Sequence, residues 1–142
     1  MTTTLGNKVL LDTDGIIGFV RVKDLSHFQA QMLMEKLVQS QGQFLVAATT
    51  VTEAVTTLRR KFSEPKLALG VLESAIKNWE IISIDTLLIS EAQKYYLSSH
   101  SKKNTLFDAI NIAVVKKYKL DAIFSFASWY KKHGVKLAGD LV

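Results

Sequence analysis

The chain reads as a three-layer α/β/α domain on a central, mostly parallel sheet of four to five strands. Short apolar runs such as Val9-Leu10-Leu11 and Phe44-Leu45-Val46-Ala47-Ala48 alternate with longer stretches of helical periodicity. That alternation implies a parallel sheet with helices on both faces. The 142 residues contain no internal repeat, low-complexity tract or linker, so they predict a single domain over 1–142.

Residues 1–7 read as a flexible N-terminus. Lys8 to Leu11 is a short strand ended by Asp12, and Asp14 to Val22 a short helix weakened by Gly15 and Gly18. Ser26 to Gln39 carries Phe28, Met32, Leu33, Leu37 and Val38 at helical spacing. Gln43 to Ala48 is a buried strand, and a helix follows from about Thr50 to Phe62. Pro65 suits the first turn of the next helix, with Ser63 as its N-cap. Glu80 to Ile84 reads as a strand, Thr86 to Leu97 and Thr105 to Tyr118 as helices, and Asp121 to Phe126 as the fourth strand. A short helix and an edge strand at Val135 to Leu137 complete the chain.

Bulk properties exclude several classes. The chain is 48% hydrophobic with one proline, which argues against disorder. No apolar run approaches the ~20 residues of a membrane helix, so no membrane association is expected. Met1-Thr2-Thr3-Thr4 has neither a basic start nor an apolar core of the secretory type. The absence of cysteine rules out disulfides and thiolate zinc sites and favours a cytoplasmic location.

The net charge is +5, with basic clusters at Arg59-Arg60-Lys61, Lys102-Lys103, Lys116-Lys117 and Lys131-Lys132-His133. Each alone is most simply a solvated helix face. Together with an acidic centre they fit a nucleic-acid enzyme, with lysines on the phosphate backbone and carboxylates on a metal.

The acids sit where strands give way to helices, the edge at which ligands bind in such folds. Asp12 ends the first strand and precedes Thr13-Asp14-Gly15. A turn or helix cap explains one aspartate there, and Asp14 alone could fill that role. Glu53 fits a capping box in Thr50-Val51-Thr52-Glu53 and projects opposite the stripe Val51, Val55, Leu58 and Phe62. Asp108 opens a helix whose same side continues as Ile112 and Val115, with Thr105 as a possible cap. A carboxylate half-buried there costs several kcal/mol unless paired, with a metal or a lysine. Three carboxylates gathered together suggest a hard cation, Mg²⁺ or Mn²⁺.

Other side chains carry less. His27, His100 and His133 have no close-spaced partner and read as surface residues. Trp79, Trp129, Tyr95 and Tyr96 read as packing, Gly139-Asp140 lies too near the end to anchor much, and no phosphate-binding glycine loop is present.

In this order the acids resemble the PIN domain, the fold of metal-dependent ribonucleases that includes VapC-type toxins. The resemblance runs from about Lys8 to Leu137. It rests on Leu11-Asp12-Thr13-Asp14, on Thr52-Glu53-Ala54 ahead of Leu58-Arg59-Arg60, on Phe107-Asp108-Ala109-Ile110-Asn111-Ile112-Ala113, and on Ile123 to Tyr130. It implies a Mg²⁺- or Mn²⁺-dependent endoribonuclease. Asp12 and Asp108 would hold the ion, Glu53 directly or through water, and no protein nucleophile would be needed. It also implies RNA as substrate, with Lys102, Lys103 and Arg59 toward its backbone. A cognate antitoxin protein and a homodimer are the expected assemblies.

One position departs from the family. A fourth acid usually follows the closing strand, and Ala127 stands there. Either three acids suffice, or Asp14 or Asp121 compensates, or activity is weakened. A catalytically degenerate module that binds RNA or protein is therefore a second reading. A third is a haloacid-dehalogenase-type phosphatase, since Asp12-Thr13-Asp14-Gly15 fits its opening motif, with Asp12 as nucleophile.

Overall fold

The computed structural model describes residues 6–99 and 101–142. The elements run β1 Lys8–Leu11, α1 Thr13–Val20, α2 His27–Gln39, β2 Gln43–Ala47, α3 Ala48–Arg60, α4 Pro65–Asn78, β3 Glu80–Ile82, α5 Thr86–Leu97, α6 Leu106–Tyr118 and β4 Ala122–Phe124. Two 3-10 turns, Ser128–His133 and Ala138–Leu141, follow β4.

Four strands form the sheet in the order β3-β2-β1-β4, and every pairing is parallel. Alternate residues of each strand face opposite layers. Val9, Leu11, Val46 and Phe124 pack with α1 to α4 on one side. Leu10, Leu45, Ile82 and Ile123 pack with α5 and α6 on the other. Burial on both faces is why the strands read as continuous apolar runs. Each fully buried Val, Leu or Ile contributes about 1.5–3 kcal/mol, so the two cores dominate the stability of the layers. β1 is central, with β2 and β3 on one side and β4 on the other. The strand order reverses at β1, since β2 and β3 are added on one side and β4 on the other, and a crevice opens beyond the carboxyl ends of β1 and β4.

Several expected boundaries shift, each for a local reason. α3 begins at Ala48, directly after β2, so Thr50 lies inside the helix and caps nothing. Ser63 is not the cap of α4. It sits at φ 54°, and Glu64 occupies the position before Pro65. β3 ends at Ile82 because the chain turns into Asp85, whose carboxylate caps α5 at Leu88 N (2.9 Å). β4 stops at Phe124, since the loop beyond it is drawn toward Asp14. The expected edge strand at Val135 to Leu137 is a single bridge between Leu137 and Ile123, because the second 3-10 turn starts at once.

Gly15 has a positive role in α1. A Cβ there would collide with the Phe124 carbonyl, so glycine lets the helix start press against β4. The expected flexible segment 1–7 falls partly outside the described residues, as does His100. Residues 6 and 7 are tied down: Gly6 N donates to Gln41 O and Gln43 N to Asn7 O.

Candidate functional site

An open cleft of about 510 Å³ lies beyond the carboxyl ends of β1 and β4. Asp12, Asp14, Glu53, Asp108 and Ala127 all line it, together with Asp24, Lys61 and Lys103. Residues from four separate stretches of sequence thus meet at the one edge where the topology leaves a crevice.

Asp12 is 4% exposed. It caps α1, accepting from Thr13 N at 2.8 Å, so the capping role belongs to Asp12 and not to Asp14. Its Oδ1 also accepts from Asn111 Nδ2 at 3.0 Å, and its Oδ2 from the Tyr130 hydroxyl at 2.7 Å. Every one of these donors is neutral. Burial holds the Asp12 carboxyl well above the usual range, and the charges of Asp14 and Asp108 push it further.

Asp14 is exposed as a residue, but its carboxyl reaches back over the loop after β4. It accepts from Phe126 N at 2.9 Å and Ser125 Oγ at 3.1 Å, fastening that loop beneath Ala127. The surrounding protein raises its carboxyl, with Asp108 adding to the effect.

Glu53 sits in the second turn of α3, half-buried, and accepts a short hydrogen bond from the Thr13 hydroxyl. The capping box expected for it does not form. Its carboxyl is raised by burial first, then by Asp108 and Asp14. Asp108 does form the capping box of α6: Thr105 N donates to its Oδ2 at 2.9 Å, and Asp108 N to Thr105 Oγ1. Its Oδ1 lies 3.1 Å from the Tyr130 hydroxyl. The partner of this half-buried acid is therefore a tyrosine, not a lysine.

The remaining sequence candidates separate cleanly. Ala127 is exposed at the cleft and begins the 3-10 turn. Asp121 precedes β4 at the opposite, amino-terminal edge of the sheet, where its Oδ2 accepts from Lys8 N at 2.7 Å. It cannot replace an acid at Ala127. Of the basic residues, Lys103 lines the cleft with Lys61, whereas Arg59 and Lys102 do not. Lys102 lies in a separate depression with Tyr96, Leu97 and Asn104.

Three buried polar residues escaped the sequence reading. Thr50, Asn111 and Tyr130 are each 0% exposed. Thr50 Oγ1 donates to Asn111 Oδ1 at 3.3 Å, which orients the Asn111 amide toward Asp12. Asn111 had a signal available: it is the one polar side chain in the wholly buried stretch Ala109 to Val115 of α6. Tyr130 had none, since only the fold brings it to Asp12.

The donor set suits a hard divalent cation. Five carboxylates line the cleft, Asp12, Asp14, Asp24, Glu53 and Asp108, and among the described residues the only ion pairs lie elsewhere, Lys94–Glu91 and Lys131–Asp140. Among the same residues no three acidic or histidine side chains yet close into one coordination sphere. The set is a cleft of uncompensated acids rather than a finished cage. It also fits poorly with Asp12 as a nucleophile, because three donors already hold its buried oxygens.

No protein-family model and no curated protein matches the chain. Among solved structures, the crystal structure of Mycobacterium tuberculosis VapC20, a Sarcin-Ricin loop cleaving toxin, matches with a TM-score of 0.76. The two chains are 16% identical, and the match covers 89% of this chain and 95% of VapC20. An agreement of that extent at so low an identity concerns architecture. The chain has the PIN fold of VapC toxins.

Proposed function

We propose that this chain is a divalent-metal-dependent endoribonuclease of the toxin type, hydrolysing RNA phosphodiester bonds. One observation carries the reading: Asp12, Asp14, Glu53 and Asp108 share a cleft at the switch point of the sheet, with no ion pair to offset them among the described residues. Burial and mutual repulsion raise Asp12, Asp14 and Glu53. Carboxylates arranged at such cost are suited to a cation, and the neighbouring Lys61 and Lys103 suit a phosphate backbone.

Asp12 and Asp108 would hold Mg²⁺ or Mn²⁺, with Glu53 joining directly or through water. The bound ion would lower the pKa of a coordinated water and offset charge on the phosphate. The protein's own part is orientation. Thr13 fixes Glu53, Asn111 and Tyr130 fix Asp12, and the capping box fixes Asp108. An antitoxin-like protein partner is supported by Leu25 and Phe28, which are 103% and 74% exposed beside the start of α2.

The test is cleavage of RNA by the purified protein with Mg²⁺ or Mn²⁺, with EDTA, and after Asp12→Asn or Asp108→Asn. Metal-dependent cleavage lost in both variants supports the reading. Cleavage that survives EDTA, or survives both substitutions, refutes it. Ala127 favours a second reading, a degenerate RNA-binding module. RNA binding with no metal-dependent turnover distinguishes it.

A further inference from the structure

The Tyr130 side chain is entirely buried, among residues such as Leu10, Ile112 and Ile123 that a phenylalanine would pack against equally well. Its hydroxyl must therefore be explained separately, because a buried hydroxyl is unfavourable unless paired. Its partners are Asp12 Oδ2 at 2.7 Å, Asp108 Oδ1 at 3.1 Å and Asn111 Nδ2 at 3.4 Å. The Asn111 Nδ2 group can only donate, so it occupies a lone pair of the hydroxyl oxygen and leaves the proton for the acids. One atom thus joins the end of β1, the start of α6 and the turn after β4.

We propose that Tyr130 is a positioning residue for the metal-binding acids: its hydroxyl sets the spacing and orientation of the Asp12 and Asp108 carboxylates. This rests on the function proposed above. Contact with a common oxygen keeps the two carboxylate oxygens within about 6 Å of each other. A lysine in the same place would neutralise the acids, whereas a neutral hydroxyl orients them and leaves their charge for a cation. Groups that hold a metal's ligands from behind typically change affinity 10–100-fold when removed.

The experiment uses the full chain without RNA. Mn²⁺ binding is measured by calorimetry for wild type, Tyr130→Phe and Asp108→Asn, together with the rise in Tm on adding Mn²⁺. We expect Tyr130→Phe to bind Mn²⁺ about tenfold more weakly, with a correspondingly smaller metal-induced rise in Tm. A purely structural role would lower Tm equally with and without metal and leave affinity unchanged. Wild-type affinity in Tyr130→Phe, with binding lost in Asp108→Asn, overturns the role of Tyr130 alone. No binding by the wild type at millimolar Mn²⁺ overturns the metal-nuclease reading and this inference with it.

A second measurement needs no variant. With tyrosine labelled at the ring carbon that bears oxygen, the signal most protected from a soluble paramagnetic agent belongs to fully buried Tyr130, since Tyr95 is half-buried and Tyr96 and Tyr118 are exposed. It should shift on Mg²⁺ addition, and a signal that does not move refutes the proposal.

Discussion

Asp12→Asn should make the metal-free protein more stable and the metal-loaded protein less so. The buried Asp12 carboxylate has neutral donors only, and Asp14 and Asp108 repel it. Asparagine has nearly the same shape. Its Oδ1 can keep the bonds from Thr13 N and Asn111 Nδ2. Its amide can donate to the Tyr130 oxygen, freeing the tyrosine proton for Asp108, so no buried group loses a partner. What disappears is an uncompensated charge. We expect a gain of about 1–2 kcal/mol, which for a chain of this size is about 3–6 °C in Tm.

Metal reverses the order. An ion present at about 100 times its Kd stabilises the wild type by ~2.7 kcal/mol, and the variant, lacking a ligand charge, gains little. Thermal melts of both proteins, with EDTA and with excess Mn²⁺, should therefore cross. A variant less stable than wild type in EDTA would mean that the Asp12 charge is well satisfied by its hydrogen bonds. The argument from uncompensated acids would then fail, whatever the nuclease assay gives.

Four further outcomes follow from the same geometry. Folded-state raising of Asp12, Asp14 and Glu53 means that the folded protein binds more protons than the unfolded chain above the ordinary carboxylate range. Metal-free stability should therefore fall as pH rises from about 4 toward neutrality. The slope should be shallower in Asp12→Asn, a comparison that cancels common contributions such as His133, and an equal slope refutes the assignment to Asp12. Ala127→Asp adds a carboxylate at an exposed cleft position, so it should raise Mn²⁺ affinity and cleavage rate while lowering metal-free Tm. Unchanged binding and cleavage would show that Ala127 is not the missing ligand position. Lys61→Ala and Lys103→Ala should each reduce the dependence of log Kd for single-stranded RNA on log salt by about 0.7, whereas Lys102→Ala should not; equal effects of all three refute the cleft as the binding track. Gly15→Ala should destabilise the fold in melts with or without metal, because its Cβ would meet the Phe124 backbone; an unchanged Tm would mean that α1 shifts freely.

The layers were legible because burial on both faces of a parallel sheet leaves a local signature. Val9-Leu10-Leu11 is uniformly apolar since Leu10 faces α5 and α6 while its neighbours face α1 to α4. Asp108 was legible for the same reason, a charge interrupting the apolar side of α6. Short-range chemistry was read less well. The capping box expected at Thr50 and Glu53 fails because β2 passes straight into α3, which puts Thr50 in the core against Asn111. The cap of α1 is Asp12 rather than Asp14, and only the approach of β4 to α1 gives Asp14 the loop at Ser125 and Phe126 to hold. Asp121 could be set aside only once strand direction was known, because it lies at the amino-terminal end of β4 while the cleft lies at the other.

The neutral groups around the acids bear most directly on what the cleft is for. A protein that only needed to fold could satisfy Asp12 with an arginine or a lysine, or replace it with an apolar residue at little cost. Here the partners are a backbone amide, an asparagine and a tyrosine, each of which fixes direction without cancelling charge. Asn111 is itself held by Thr50, so orientation is enforced two residues deep, at positions that are all fully buried. The cleft's lysines, Lys61 and Lys103, make no ion pair with its acids and remain available to an anion entering from solvent. Negative charge is thus kept where a cation can enter, and positive charge where a phosphate backbone can. That division of charge supports the metal-dependent phosphodiester hydrolysis proposed above, which needs both a cation and a phosphate backbone in one cleft.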